Sequence, residues 1–220
     1  MLERYKDKNL LILGAGQSTI DVNWRNLDYD YIWTCNDFFI CDELLDDRVD
    51  LCVLGYTQNL YDDTLVNRVL RDKTLVIIEP LHYREKIHSM ELEEFVEKVD
   101  VYKIDIPSDR NLAGAAARLV SLGLLVQAKN IYFAGLDGFN KDFTNLHAFT
   151  KHVGLKDTDT RREWEIYYDG FIKCFKYYLN FDYSRLQNLG EGYDYNIGTE
   201  ISKKYFPLRK EVKEAISEKN

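Results

Sequence analysis

Proline and glycine are scarce in this chain, with three and twelve among 220 residues, and that composition excludes long disordered or collagen-like stretches. Cysteine is scarce as well. Cys35, Cys41, Cys52 and Cys174 show neither a C-x-x-C pair nor zinc-site spacing, and Cys35 and Cys52 fall in apolar strand candidates, so they read as reduced core thiols of a cytoplasmic protein. Positive charge is in deficit, 29 Lys and Arg against 37 Asp and Glu. The resulting net charge of −8 argues against a general nucleic-acid binder, which needs clustered cations to neutralise phosphates. No signal-peptide pattern opens the chain and no apolar run approaches the ~18 residues of a membrane span. Secretion and insertion therefore have no support, and only peripheral membrane association stays open. A phosphate-binding P-loop is excluded, because Gly-Lys-Ser/Thr does not occur.

What the chain does have is a series of short apolar runs alternating with helical patterns, the mark of a sheet built from crossover units. The runs Asn9–Leu13, Tyr31–Cys35, Leu51–Leu54, Thr74–Ile78, Val101–Ile104 and Ile131–Ala134 are the strand candidates, and Tyr183–Leu189 is a seventh. Their unbroken apolar character predicts strands covered on both faces, hence a Rossmann-like, doubly wound and mostly parallel α/β sheet. Helical segments fall near 58–71, 84–98 and 111–127, each long enough for a crossover. A further helix spans Thr160–Leu179, with apolar positions at a 3.6-residue period and a capping box of Thr160 and Glu163. The length suits one domain over 1–220, with a lid-like loop at 138–160 and a charged C-terminal helix at 199–218 interrupted near Pro207.

The most informative element is the glycine turn Gly14-Ala15-Gly16 after the first strand. Glycines there let the backbone approach a phosphate, whose charge would be met by N–H groups at the start of the next helix, with Ser18 close by. A dinucleotide fingerprint would place a third small residue where Thr19 stands, so the match is incomplete. Asp37 follows the second strand at a distance suited to a ribose hydroxyl, although Asn36-Asp37 is also ordinary turn chemistry. The small residues of 113–117 permit close approach of a helix to a sheet or to a ligand.

The order of these motifs carries a resemblance. A strand with Gly-x-Gly-x-Ser is followed by Thr34-Cys35-Asn36-Asp37, then Arg110-Asn111-Leu112-Ala113-Gly114, then Ile131-Tyr132-Phe133-Ala134-Gly135-Leu136-Asp137, then a loop with histidines. Over roughly residues 9–190 this order resembles the bacterial sialyltransferases of glycosyltransferase family 42. It is also similar to the related group that includes archaeal pterin pyrophosphokinases and flagellin-associated accessory factors.

The resemblance implies a CMP-linked acidic sugar as donor and a glycan or small molecule as acceptor, with no cofactor required. Gly14, Gly16, Ser18 and Asn36 would hold the nucleotide, Arg110, Asn111, Ala113 and Gly114 would lie beside its phosphate, and Gly135 and Asp137 would face ribose and base. It also implies an inverting transfer with a histidine in the late loop as general base, for which His152 is preferred to His147; histidine suits that role near neutral pH. His82 and His88 read as surface residues. Arg161 and Arg162 open the late helix, where an anionic sugar would compensate their unfavourable place in the helix dipole, and Phe139 is a substrate contact. This chain departs from the family in carrying Ala15 where Asn is usual, Ala113 where Ser is usual, and Phe139 and Phe143 where tyrosines bind the leaving phosphate. Those departures leave two alternatives: a Mg²⁺-dependent nucleotide diphosphokinase or phosphohydrolase, and a nucleotide-binding module without catalysis. Asp157-Thr158-Asp159 resembles the metal-binding Asp-x-Asp of another glycosyltransferase fold and reads equally as a helix cap and solvated turn, and no metal site is expected under the transferase reading.

Overall fold

Seven strands form one sheet in which every pairing is parallel, with the order β5-β4-β3-β2-β1-β6-β7. They are β1 (Asn9–Leu13), β2 (Tyr31–Cys35), β3 (Leu51–Leu54), β4 (Leu75–Ile78), β5 (Val101–Lys103), β6 (Asn130–Ala134) and β7 (Leu186–Asn188). The structure, a computed structural model, describes residues 1–54, 63–78, 90–104, 115–136, 183–190 and 208–218. Within these the helices are α1 (Ser18–Asp21), α2 (Asp63–Asp72), α3 (Met90–Lys98), α4 (Ala115–Leu125) and α5 (Lys210–Ser217). None of the described helices is long and apolar enough to cross a membrane.

Alternate residues of each central strand enter two separate cores, as a pleated strand covered on both sides requires. Leu11 and Leu13 of β1 join Cys52, Val76 and Ile78 in the first core, which α2, α3 and α5 cover through Leu65, Val69, Phe95 and Val212. Leu10 and Ile12 join Trp33, Val53, Ile77 and Phe133 in the second, covered by α4 through Leu119, Val120 and Leu124. All five residues of β1 are buried. The expected doubly wound α/β fold is therefore the one observed.

Boundaries differ where polar chemistry overrides the apolar pattern. Thr74 stands outside β4, its hydroxyl donating to the Val49 carbonyl at 2.8 Å. The expected last strand begins only at Leu186, because Tyr183–Arg185 form a 3-10 turn. Of the expected C-terminal helix, Lys210–Ser217 is described. The expected helix Thr160–Leu179, the loop 138–160 and Cys174 lie outside the described residues. Cys35, Cys41 and Cys52 are free and buried.

The β2–β3 connection is fastened from α2. Arg68 donates to the carbonyls of Leu44, Leu45 and Asp47 and pairs with Asp72 at 2.7 Å, both side chains only 4% exposed. Asp72 also accepts the Val49 N–H at 3.1 Å. Burial raises the Asp72 carboxyl, but the hydrogen bonds from Arg71, Val49 and Arg68 outweigh it and hold the group below the ordinary carboxylate range. A folded pKa below the unfolded value of about 3.9 gives stability that is complete above that value and lost as pH falls through the folded pKa. Asp50 has the opposite sign: burial raises it, the Ile32 N–H and Arg48 offset only part of that, and its ionisation weakens the fold. Urea unfolding at decreasing pH should therefore show wild-type stability dropping below about pH 4. Asp72→Asn, weaker near neutrality, should drop less over the same interval; equal drops would assign the acid limb to other carboxyls.

Candidate functional site

The sheet order reverses between β1 and β6, since the chain runs outward from β1 to β5 and returns to β6 on the other side of β1. In open α/β sheets such a switch point leaves a crevice at the carboxyl ends of the strands, where ligands bind. Three of the residues singled out from the sequence sit at that rim, Gly14 and Gly135 on one level and Asn36 one residue further along, because Leu13 pairs in register with both Thr34 and Ala134. Gly14, Asn36 and Gly135 each follow their strand directly.

Gly14 and Gly135 meet across the switch point more closely than any side chain would permit. A Cβ on Gly14 would lie 2.5 Å from the Gly135 carbonyl oxygen and 3.3 Å from the Ala116 Cβ. A Cβ on Gly135 would overlap the Thr19 hydroxyl and the Gly14 carbonyl, and Gly135 has a left-handed φ of +73°. Hydrogen bonds close the crossing. The Gly14 N–H donates to the Ala134 carbonyl at 2.8 Å and the Gly16 N–H to the Gly135 carbonyl at 3.0 Å. The Gly135 N–H donates to Ser18 Oγ at 2.7 Å, and the Thr19 hydroxyl donates to the Gly14 carbonyl at 2.7 Å.

This geometry redistributes the roles expected of the loop. The N–H groups of both glycines are spent on the β1–β6 crossing, so neither donates to a phosphate. Among the described residues the half-buried Ala15 and Gln17 carry the loop N–H groups with no protein acceptor, and these are the donors the rim offers a ligand. The following helix is one turn long, so its dipole is weak, and Asp21 within it is acidic. A ligand bound at this rim would therefore depend chiefly on direct hydrogen bonds. Thr19, the residue that breaks the dinucleotide fingerprint, is fully buried and locks the crossing through its hydroxyl. Sequence reading missed that role because the crossing it stabilises joins β1 to β6, far apart in the chain.

Asn36 adopts a left-handed φ of 49° as its N–H donates to the Val53 carbonyl at 3.0 Å, the turn geometry that asparagine tolerates best among residues with a side chain. Asp37 is buried at the start of the 3-10 turn Phe38–Ile40. Burial first, and the charge of Asp37 second, push the Cys35 thiol up to about 12, so it stays protonated and is no nucleophile. Ala116 packs on Gly14, and a Cβ on Gly123 would meet Ile131 Cδ1 at 3.0 Å, so the small residues described on α4 serve helix-on-sheet packing. Arg118, two residues beyond Ala116, is only 1% exposed and engaged in interactions. It had not stood out in the sequence, since a single arginine inside an apolar helix carries no periodic signal.

The rim thus brings together Gly14, Ala15, Gly16, Ser18, Asn36, Asp37 and Gly135. Arg110, Asn111, Ala113, Gly114, Asp137, Phe139, His147, His152, Arg161 and Arg162 lie outside the described residues.

No family model and no curated protein sequence matches this chain. Among solved structures, the monofunctional α-2,3-sialyltransferase Cst-I from Campylobacter jejuni superposes with a TM-score of 0.59 at 16% identity, over 97% of this chain and 82% of that one. The sialyltransferase CstII from the same organism, in complex with the substrate analogue cytidine-5'-monophosphate, gives a TM-score of 0.45 at 13% identity, over 91% of this chain and 84% of that one. The likeness to Cst-I is one of fold: the sheet and helices of this chain follow the arrangement of that structure.

Proposed function

We propose that the chain is a glycosyltransferase using a nucleotide-activated sugar, with a CMP-linked acidic sugar as donor and a glycan or small-molecule hydroxyl as acceptor. The observation that carries this reading is the placing of Gly14, Asn36 and Gly135 at the carboxyl rim beside the β1–β6 switch point, from three motifs whose order resembles that of the sialyltransferases. The Cst-I-like fold supports it. The unspent N–H groups of Ala15 and Gln17 suit the polar edge of a nucleotide, and the glycine crossing keeps side chains out of its path.

In the reaction the acceptor oxygen attacks the anomeric carbon as the bond from that carbon to the phosphate oxygen breaks, with inversion. His152, or His147 in its place, takes the acceptor proton, and CMP departs with the bonding electron pair. Arg110 and the segment Asn111–Gly114 balance the charge that develops on the leaving phosphate. Arg161 and Arg162 hold the sugar carboxylate, residues 138–160 close over the site, and Phe139 contacts the substrate. The reaction needs no resident metal, and it runs in the cytoplasm.

Thermal unfolding in the presence of CMP, CDP, UDP, ADP or ATP with Mg²⁺ tests the reading. At one hundred times its dissociation constant a ligand of the native state adds about 2.7 kcal/mol, a rise of roughly 5–11 °C for a chain of this size. CMP and CDP should give that rise and UDP should not. Stabilisation by ATP with Mg²⁺ alone would assign the site to the diphosphokinase reading.

A further inference from the structure

The glycine crossing is braced from behind by a relay of hydrogen bonds that ends on α5. The Trp24 indole Nε1 donates to the Thr19 carbonyl at 2.8 Å, capping α1 on the side away from the loop, while the Thr19 hydroxyl reaches the Gly14 carbonyl. Trp24 is 2% exposed, with the Arg25 guanidinium 4.2 Å from its ring centroid and Tyr29 at 6.2 Å. Helix α5 packs on the turn Trp24–Asn26 and shares its core through Val212, Ala215 and Ile216. The two asparagines flanking Trp24 hold the carboxyl end of that helix. Asn23 Nδ2 donates to the Glu218 carbonyl at 2.8 Å, and Asn26 Nδ2 to the carbonyls of Ala215 at 3.0 Å and Glu218 at 3.2 Å.

Each link satisfies a group that the local backbone leaves open. The last carbonyls of a helix have no partner within it, and Asn23 and Asn26 supply partners at the end of α5. The Thr19 carbonyl has the same need at the end of α1, and the buried Trp24 indole meets it. A one-turn helix has too little internal hydrogen bonding to fix its own direction. The direction of α1, and with it that of the Ala15 and Gln17 N–H groups, is therefore set from outside.

We propose that Trp24 is a positioning residue for the ligand loop, and that docking of α5 through Asn23 and Asn26 is thermodynamically coupled to ligand binding at that loop. The first half stands on the geometry alone; the second rests on the reading of the rim as a nucleotide site. Coupling of this kind is reciprocal, so a ligand that orders the loop also tightens α5.

Hydrogen exchange on the full chain decides it. In Trp24→Phe, which keeps a ring and removes the donor, and in Asn23→Ala/Asn26→Ala, exchange over Gly14–Asp21 should rise roughly two- to tenfold, the worth of one hydrogen bond. Exchange over Tyr31–Cys35 and Leu51–Leu54 should stay at the wild-type level. A general loss of packing would raise all three segments together, and that result, or an unchanged loop in both variants, overturns the proposal. In a second arm, CMP should slow exchange over Lys210–Ser217 in the wild type and bind roughly two- to tenfold more weakly to the variants. If CMP fails to bind the wild type, the nucleotide reading fails while the first arm still decides the role of Trp24. If CMP binds the wild type and both variants equally, the coupling fails and the nucleotide reading stands.

Discussion

Replacing Gly135 by alanine is expected to cost the fold about 2–5 kcal/mol, the sum of about 1–3 for forcing an extra methyl into a packed site and about 1–2 for a left-handed residue with a Cβ. The added Cβ would overlap the Thr19 hydroxyl and the Gly14 carbonyl, and neither is the far end of a flexible side chain: Thr19 is fully buried and the carbonyl is backbone. Relief requires β1 and β6 to part at their carboxyl ends, breaking the bonds from Gly14 to Ala134 and from Gly16 to Gly135. Gly14→Ala meets backbone at 2.5 Å but carries no left-handed strain, so it should cost less than Gly135→Ala. Urea midpoints at unchanged m-value give both numbers. A cost below about 1 kcal/mol for Gly135→Ala would mean that the crossing is looser than its geometry indicates.

Arg68→Ala is the second large effect, expected at about 3–5 kcal/mol, because removing one partner of a buried pair leaves the buried Asp72 carboxylate with only Arg71 and the Val49 N–H to balance it. The guanidinium serves three carbonyls of the β2–β3 connection as well as Asp72, so the variant removes a donor from four acceptors at once. Replacing both partners, as in Arg68→Met/Asp72→Leu, removes the orphaned charge and should recover part of the loss. Chemical denaturation of the two variants side by side checks this. A double variant no more stable than Arg68→Ala would show that the carbonyls of Leu44, Leu45 and Asp47, and not the ion pair, need the arginine.

Much of the sheet was legible because burial on both faces leaves a plain mark. Asn9–Leu13, Tyr31–Cys35 and Leu51–Leu54 are unbroken apolar runs, and their limits in the structure are those of the pattern. Legibility fell where one turn or one side chain decides the structure. Helix α1 is too short for any period to register, and Tyr183–Arg185 read as strand by composition although they coil into a 3-10 turn. The glycine loop announced itself, but the spending of its N–H groups did not. That outcome depends on how β6 returns beside β1 and how Ser18 and Thr19 grip Gly135 and Gly14. Trp24 likewise reads as one more aromatic residue until its indole is seen on the Thr19 carbonyl.

The central claim is that a nucleotide binds at the carboxyl rim of β1, β2 and β6, and titration of the isotope-labelled protein with CMP, followed through the backbone amides, tests it most directly. The largest changes should appear at Ala15 and Gln17, with the spent amides of Gly14, Gly16, Asn36 and Gly135 moving less. A shallow surface depression lined by Arg4, Lys73, Thr74 and Asp100 near the amino ends of β4 and β5 serves as the internal control, and its amides should hold still. Changes centred on that depression, or none anywhere at saturating CMP, would contradict the account.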